Sequence, residues 1–476
     1  RRLVRLTSTG RQKRAGRAKA KSLARTVRMS LPVSATITNV QGPTTPTARN
    51  LLRLTVGALA VICTAYWVAV TAPVLAQPPP RGYSVGTELT QGAHYTSQQR
   101  VRSRLGCADG LTAPEVDEFF RVRQGPLLGW DNPHVIELGP NRWLWLVHDT
   151  YLDHSGTATD LVDVDHQVQN AAFVQNGRCF AVQHGGTPEL RKNFESGDAR
   201  IAPAHFLWPL GSEVHENKLF VFWAETTTAT EPQPNGHGIT RYPVATWLAT
   251  YDVETLKRLS FDPAPNAGIE PIYGFAVSSD DEYSYLFGNT NQLNFWRNGG
   301  YENGPHSATR MFLGRVPRGE LSEDPEYWHG AGWGSDANSA VPISEKFYAE
   351  NTMQPQFIDG QWLSVVKRDG FFGAEIWLEV AVDPWGPWVA HEIVEHIPRA
   401  SNVAKNSYQP IILPWSDAQA GVSVIVSENA IKWRDALATP SNYRPSVFSM
   451  RWPVDPAAHI ESMIEDLATA PGDGER

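Results

Sequence analysis

The chain has 476 residues, 41% apolar and 19% charged, which excludes a wholly disordered or collagenous protein and leaves ample length for a packed core. Its 17 Trp, 14 Tyr and 18 Phe, with 38 Gly and 35 Pro, favour many short strands joined by tight turns over long helices. The net charge of −8 hides two opposite parts: residues 1–53 carry 13 Lys or Arg and no Asp or Glu, leaving 29 basic and 50 acidic groups elsewhere, a net of −21. So acidic a body repels nucleic acid and anionic lipid, whereas a neutral glycan is indifferent to it.

Residues 1–53 read as a basic, disordered n-region, in which Met29 is a second candidate start. From Leu54 to Pro80 there is no Asp, Glu, Lys or Arg, and residues 54–76 (LTVGALAVICTAYWVAVTAPVLA) are strongly apolar. This is a signal peptide or membrane anchor whose basic flank stays in the cytoplasm. Val74 and Ala76 fit a small-residue cleavage pattern before Gln77, while the length of the apolar run equally suits a retained anchor. Both fates predict a secreted or extracytoplasmic body with no membrane contact beyond this segment. Cys63 lies within it, so Cys107 and Cys179 remain in the body, either bridged in an oxidising compartment or as two buried thiols.

Residues 77–124 are polar and Pro-containing and read as linker and approach. From residue 125 to 453 one pattern then recurs: a tight turn, a short apolar strand and a polar terminator. The copies are NRWLWLVHD ending at Asp149, ENKLFVFWAE at Glu225, DDEYSYLFGN at Asn289, DGQWLSVVKR at Arg368 and AGVSVIVSE at Glu428. Each has a preceding strand (NPHVIEL, FLWPLGSEV, IYGFAVSS, MQPQFI, YQPIIL) and a following one (NAAFVQ, ATWLATYD, TRMFLGRV, AEIWLEVAV, SVFSMRW). Radial stacking buries both faces of such sheets, so the expected fold is an all-β, five-bladed β-propeller behind an N-terminal signal or anchor segment. Two consecutive β-sandwiches would not explain five copies sharing one strand order. Residues 454–476, with the helical pattern HIESMIEDLA, form a tail.

In a propeller the starts of inner strands and the ends of second strands meet at one face. That brings together Asp131, Trp208, Tyr273, Gln354 and Tyr408 with the five terminators, and third-strand starts add Asn170 and Glu375. Asp131 and Asp149 supply two carboxyls to one axial cavity, and glycosidic hydrolysis needs one carboxyl to protonate the leaving oxygen and another to activate water or attack. Glu225, Glu375 and Glu428 are candidates for an opposing acid; the ordinary role of such residues is to cap turns. Trp130, Trp208, Tyr273 and Tyr408 suit stacking on sugar faces, against the alternative of blade packing. His148, Asn170, Asn289, Gln354 and Arg368 are candidate hydroxyl partners, Arg368 equally a salt-bridge member. His391, Glu392 and His396 form HExxxH, whose second His is displaced from the zinc-helix position. No GxSxG elbow, phosphate loop or dinucleotide motif occurs.

The segments WDN, RWLWLVHDTYLD and NAAFVQNG of blade one, with FLWPLGSEV, NKLFVFWAE, YLFGNTN, RMFLGRVP, EYW and QPQF beyond them, resemble an exported actinobacterial five-bladed propeller family of formerly unknown function. That family is related to arabinanase-type glycoside hydrolases, and some members are associated with endo-acting cleavage of cell-wall D-arabinan. The resemblance implies that Asp131 is the family's first-strand Asp and Asp149 the Asp of its Gly-Asp-Thr, with His148 in place of the Gly. It also matches Asn170 to the Asn before the third strand, and Trp208 and Pro209 to a Trp-Pro pair.

The expectation is therefore an exported glycoside hydrolase acting on a cell-wall or environmental polysaccharide, an arabinan-type furanoside polymer first, as a monomer without nucleic-acid partner, metal or cofactor. The resemblance leaves room for a structural cation on the propeller axis. A non-catalytic glycan-binding or scaffold propeller is the alternative, and a uronate lyase would need a more basic cavity than Arg368 provides.

Overall fold

A computed structural model describes residues 88–91, 99–228, 241–265, 271–289, 309–346, 354–367, 375–395 and 403–453. The export segment, the C-terminal tail, Arg368 and His396 lie outside these residues.

Five antiparallel sheets follow one another along the chain as the five blades of a propeller. Their inner strands are Leu127–Gly139, Phe206–His215, Ile272–Ser279, Gln356–Ile358 and Lys405–Ile412. The second strands are Arg142–Leu152, Lys218–Thr228, Tyr283–Asn289, Gln361–Lys367 and Val422–Ala430. These strands read as continuous apolar runs because successive residues face two different neighbouring blades. In the second strand of blade one, Trp143, Trp145 and Val147 pack with Ile411, Ile425 and Val447 of blade five, whereas Leu144 and Leu146 pack with Val221 and Trp223 of blade two.

Inner strands share a further feature. Pairing with the second strand breaks register between Asp131 and His134, Pro209 and Ser212, Ile272 and Ala276, and Tyr408 and Ile411. Each break holds a residue that disfavours regular ladder geometry: Pro133, Pro209, Gly274 and Pro410. Blade four has Pro355 immediately before its inner strand. Gly274 shows why the residue there matters, since it has φ of 84° and a Cβ would meet the Phe222 ring at 2.6 Å.

The segment expected as an approach is built into blade one. Strand Gln99–Cys107 pairs with the fourth strand, Cys179–Gly186, and Cys107 and Cys179 are register partners joined by a disulfide. Helix Ala113–Arg121 then carries Phe119 and Phe120 into a cluster with Trp130, Trp145, Phe173 and Phe180. Glu115 fixes its first turn by accepting from the Thr112 amide (3.0 Å) and hydroxyl (2.6 Å).

Among the described residues blade five contains three strands of its own, and polar contacts add to the apolar packing that joins it to blade one. Arg444 donates from Nε to Leu128 O and from Nη1 to Arg121 O, both at 2.8 Å. Val447 N donates to Asp117 Oδ1 (2.8 Å), Trp130 N to Tyr443 O (3.1 Å) and Asn132 N to Ser427 Oγ (2.7 Å). The strand approach is so close that a Cβ at Gly129 would sit 2.7 Å from Tyr443 O. Removing the Arg444 side chain orphans two carbonyl oxygens, so Arg444→Ala should lower unfolding free energy by about 3 kcal/mol in urea titration. An unchanged transition would show that closure does not rest on this residue.

Candidate active site

Asp131 and Asp149 come together at the blade-one end of the axis. Asp131 pairs with His148 across the inner two strands, and the ladder to the third strand pairs His148 with Asn170 and Thr150 with Val168. Asp149 falls between those pairs with φ of 25°, and neighbouring Asn132 has φ of 42°; both are conformations that non-glycine residues adopt at a cost. The Thr150 hydroxyl donates back to His148 O (2.8 Å), tightening the bend.

Each carboxyl has its own setting. Asp131 is 6% exposed, and its Oδ2 accepts from the Tyr408 hydroxyl at 2.7 Å, which itself accepts from Asn429 Nδ2 at 2.7 Å. Burial, then the charge of Asp149, push the Asp131 pKa up to about 7, against the pull of the Tyr408 and Tyr443 hydroxyls and Arg241. Burial also raises Asp149, but Arg241 opposes it first and Trp208 next. Arg241 Nη1 lies 2.5 Å from Asp149 Oδ2, and its guanidinium sits over the rings of Phe206 (5.4 Å) and Trp208 (5.9 Å). Tyr151 is buried close by, its phenol pushed up to about 12 by burial and by Asp149. The two settings differ: Asp131 accepts from a neutral tyrosine hydroxyl, whereas Asp149 is ion-paired with a guanidinium, and burial raises the pKa of both.

Of the aromatic candidates, Trp208 and Tyr408 reach this site. Trp208 is half-buried beside Asp149, and Tyr408 is buried and acts on Asp131 itself. Trp130 does not reach it. Adjacent to Asp131 along an extended strand, it points the opposite way and is fully buried against Phe120 and Phe173. Tyr273 is likewise core, 4.9 Å from the Tyr327 ring in a cluster with Phe222.

Several polar candidates serve the frame instead. Asn170 is fully buried and spends its whole amide on backbone, donating to Glu195 O (2.9 Å) and Leu207 O (2.7 Å) and accepting from Glu195 N (2.9 Å). His148 stacks between His134 (5.8 Å) and Trp208 (5.3 Å) and donates from Nε2 to Pro209 O at 3.0 Å. Burial, then His134, hold its pKa well below the usual histidine range, so it is a neutral clasp between blades one and two. Glu225 accepts from His205 Nδ1 (2.5 Å) and Trp247 Nε1 (2.9 Å), which occupies both oxygens. Glu428 is paired with Lys405 Nζ (3.1 Å) and accepts from Ser446 Oγ (2.7 Å). Glu375 accepts from Trp377 Nε1 (3.0 Å) at the start of blade four's third strand. Asn289 is buried between Ile272 and Met311. Gln354 opens into a separate axial cavity of about 420 Å³, lined also by His134, Glu213, Ser279 and Ile411 along the later halves of the inner strands.

Arg241 and Tyr443 are the residues that sequence reasoning missed. Arg241 is the first residue of the third strand of blade two and lies opposite Thr228, three residues beyond the terminator Glu225, whereas Asn170 of blade one lies opposite His148. No group of three or more His, Cys, Asp or Glu gathers among the described residues.

Among solved structures, a Bacteroides ovatus protein named as a candidate hydrolase matches 83% of this chain and 100% of its own, with a TM-score of 0.52 at 12% identity, a likeness of fold. A GH43 β-xylosidase/α-arabinofuranosidase from a compost metagenome matches 69% of this chain and 92% of its own at TM-score 0.38 and 11% identity. A GH43_1 enzyme from Xanthomonas citri complexed with xylose matches 72% and 89% at TM-score 0.37 and 12% identity. No curated protein matches the sequence. The family pattern described as a domain of unknown function, DUF5005, matches residues 114–451, and the chain belongs to that family.

Proposed function

We propose that this protein is an exported glycoside hydrolase that cleaves a neutral polysaccharide, an arabinan-type furanoside polymer first among them. The observation that carries the proposal is the unequal carboxyl pair: Asp131 buried and raised to about 7, Asp149 beside it and ion-paired with Arg241. Asp131 donates its proton to the glycosidic oxygen as the bond to the anomeric carbon breaks. Asp149 either takes a proton from the water that attacks that carbon or attacks the carbon itself, the ester then being hydrolysed. Arg241 is a positioning residue: its ion pair favours the charged form of Asp149 against burial, which still leaves the Asp149 pKa raised. The net charge of −21 outside the basic N-terminus favours a neutral substrate, and the furanoside preference follows the blade-one resemblance. The Cys107–Cys179 disulfide and the apolar segment 54–76 support export.

The protein should release oligosaccharides from linear arabinan in a screen that also includes xylan and galactan. Asp131→Asn and Asp149→Asn should each lower turnover by roughly a thousandfold or more. Turnover that survives both changes would remove the assignment, and wild-type binding without product would make the protein a glycan-binding propeller.

The pH dependence has a definite sign. Because catalysis needs the Asp131 proton, kcat/KM should fall as pH rises through about 7. Stability should fall over the same approach: between the ordinary carboxyl pKa of 3.8 and about 7 the unfolded chain has released a proton that the folded chain retains. Asp131→Asn abolishes this loss, so the variant should be more stable than wild type near about pH 8 in thermal melts. A wild-type advantage there would show that Asp131 is not held protonated.

Arg241→Met removes the cation that opposes burial at Asp149, so the Asp149 pKa should move further up. Carbon-13 NMR titration of the aspartate carboxyls checks this directly. An unmoved transition would mean that the ion pair does not set the charge of Asp149.

A further inference from the structure

Blade five reaches the carboxyl site from across the junction with blade one. Ser427 and Asn429 stand two residues apart on the strand Val422–Ala430 and so share one of its faces. Ser427 Oγ accepts from Asn132 N (2.7 Å), the residue after Asp131. Asn429 Nδ2 donates to the Tyr408 hydroxyl (2.7 Å), which in turn meets Asp131 Oδ2 at 2.7 Å. Glu428 between them is held by Lys405 and Ser446 instead. Asp131 is therefore gripped from blade five twice, at the backbone that follows it and at its carboxyl.

The polarity of this chain follows from counting hydrogens. A tyrosine hydroxyl has one proton to give, and an amide nitrogen can only donate. With Asn429 Nδ2 on one side, Tyr408 gives its proton to Asp131 Oδ2 on the other. Asp131 Oδ1, buried and without a hydrogen-bond partner, is then the oxygen left for the acid proton. Were the amide turned to present its oxygen, Tyr408 would donate to Asn429, and Asp131 would spend on Tyr408 the proton that hydrolysis needs.

We infer that Asn429 is a positioning residue for the acid of this site: it holds Tyr408 as the donor to Asp131 Oδ2, so that Oδ1 carries the transferable proton. This rests on the hydrolase reading and extends it to a residue that touches neither carboxyl. When the proton leaves for the glycosidic oxygen, the charge that develops on Asp131 meets a donor already in place. A hydroxyl that itself accepts from an amide is the stronger donor, so Asn429 acts on Asp131 through Tyr408. The other titratable and charged groups around Asp131 are Asp149, Tyr151 and His148 on the second strand of blade one, Arg241 of blade two and Tyr443 of blade five.

The test is carbon-13 NMR titration of the aspartate carboxyls in Tyr408→Phe, Asn429→Leu and the double variant, beside the pH profile of kcat/KM on whichever of linear arabinan, xylan or galactan the wild type cleaves. Tyr408→Phe removes a donor to the charged form, so the Asp131 transition, about 7 in wild type, should rise by about one pH unit, a tenfold gain in proton affinity. Asn429→Leu, of similar volume, should raise it by less. Added to Tyr408→Phe it should raise it no further, because its effect passes through the hydroxyl. The alkaline limb of kcat/KM should move with the transition. Asn429→Ser carries the same expectation should the leucine variant not fold, and matching thermal midpoints identify the folded proteins. A fall in Tyr408→Phe would mean that Asp131 donates to Tyr408 and overturns the inference. So does an unmoved transition in the folded Asn429 variants, or a further rise in the double variant. Product release by wild type then leaves the hydrolase reading standing, whereas the expected shifts without product from any of the three polysaccharides overturn that reading and leave the Asn429–Tyr408 relay.

Discussion

The junction between blade five and blade one governs both the shape of the ring and the chemistry of its centre. No strand is shared across it among the described residues, so the last sheet is held to the first by the packing of Ile411, Ile425 and Val447 on Trp143, Trp145 and Val147, by the Arg444, Asp117, Tyr443 and Ser427 contacts and by the helix that precedes blade one. The same junction supplies the environment of Asp131. Its hydrogen-bond donor, Tyr408, lies 277 positions away in blade five, and Tyr443 presents a backbone carbonyl to Trp130 and a phenol toward Asp131. Were the ring to open there, Asp131 would lose its donor and its burial together, and its pKa would return toward the ordinary carboxyl range. Closure and acid strength are therefore one constraint.

Two carboxyls buried side by side are costly, and the structure meets the cost unequally. At Asp131 the compensation is neutral, a tyrosine hydroxyl, which lowers the pKa too little to offset burial and a neighbouring negative charge. At Asp149 the compensation is a cation, which favours the charged form although burial still raises the pKa. Positive φ at Asp149 and Asn132 adds backbone strain at the same place. The stabilising counterparts lie at the outer rim. The disulfide ties the outermost long strand of blade one to its neighbour, and the buried Glu195 links Arg258 and the Tyr251 hydroxyl (2.7 Å) beside Arg100, whose guanidinium covers Phe194 at 3.9 Å.

The repeat of polar-terminated apolar strands made the five blades legible, because propeller strands packed on both faces must be apolar throughout. The two aspartates were legible for a related reason: inner-strand starts and second-strand ends share a face whatever the loops do. Which way a side chain turns was harder. Trp130 and Asp131 are neighbours, only one of them can face the axis, and the Pro133 break that decides the matter is a feature of pairing geometry. Asn170, His148 and Glu225 were rightly placed near the blade ends, yet backbone carbonyls and amides between blades claimed two of them, and His205 with Trp247 claimed the third. Arg241 carried little signal, since a lone arginine after a Pro- and Gly-containing stretch of sequence resembles any surface cation until Asp149 is seen beside it.

Functional polar residues and structural polar residues at a propeller rim can be told apart by counting what each has left to offer. Asn170 has committed its amide donor and acceptor atoms to Glu195 and Leu207, and Glu225 has both oxygens occupied, so neither can bind a substrate without breaking a buried contact. Asp131 retains an oxygen with no hydrogen-bond partner, as does Asp149, although burial makes such vacancies expensive. A folded chain keeps two unsatisfied carboxylate oxygens in one place only against a steady loss of stability. Glu213 in the axial cavity likewise has buried oxygens without a hydrogen-bond partner, so unspent bonding capacity is shared, and what distinguishes the Asp131–Asp149 pair is the ion pair with Arg241 at the meeting of blades one and two.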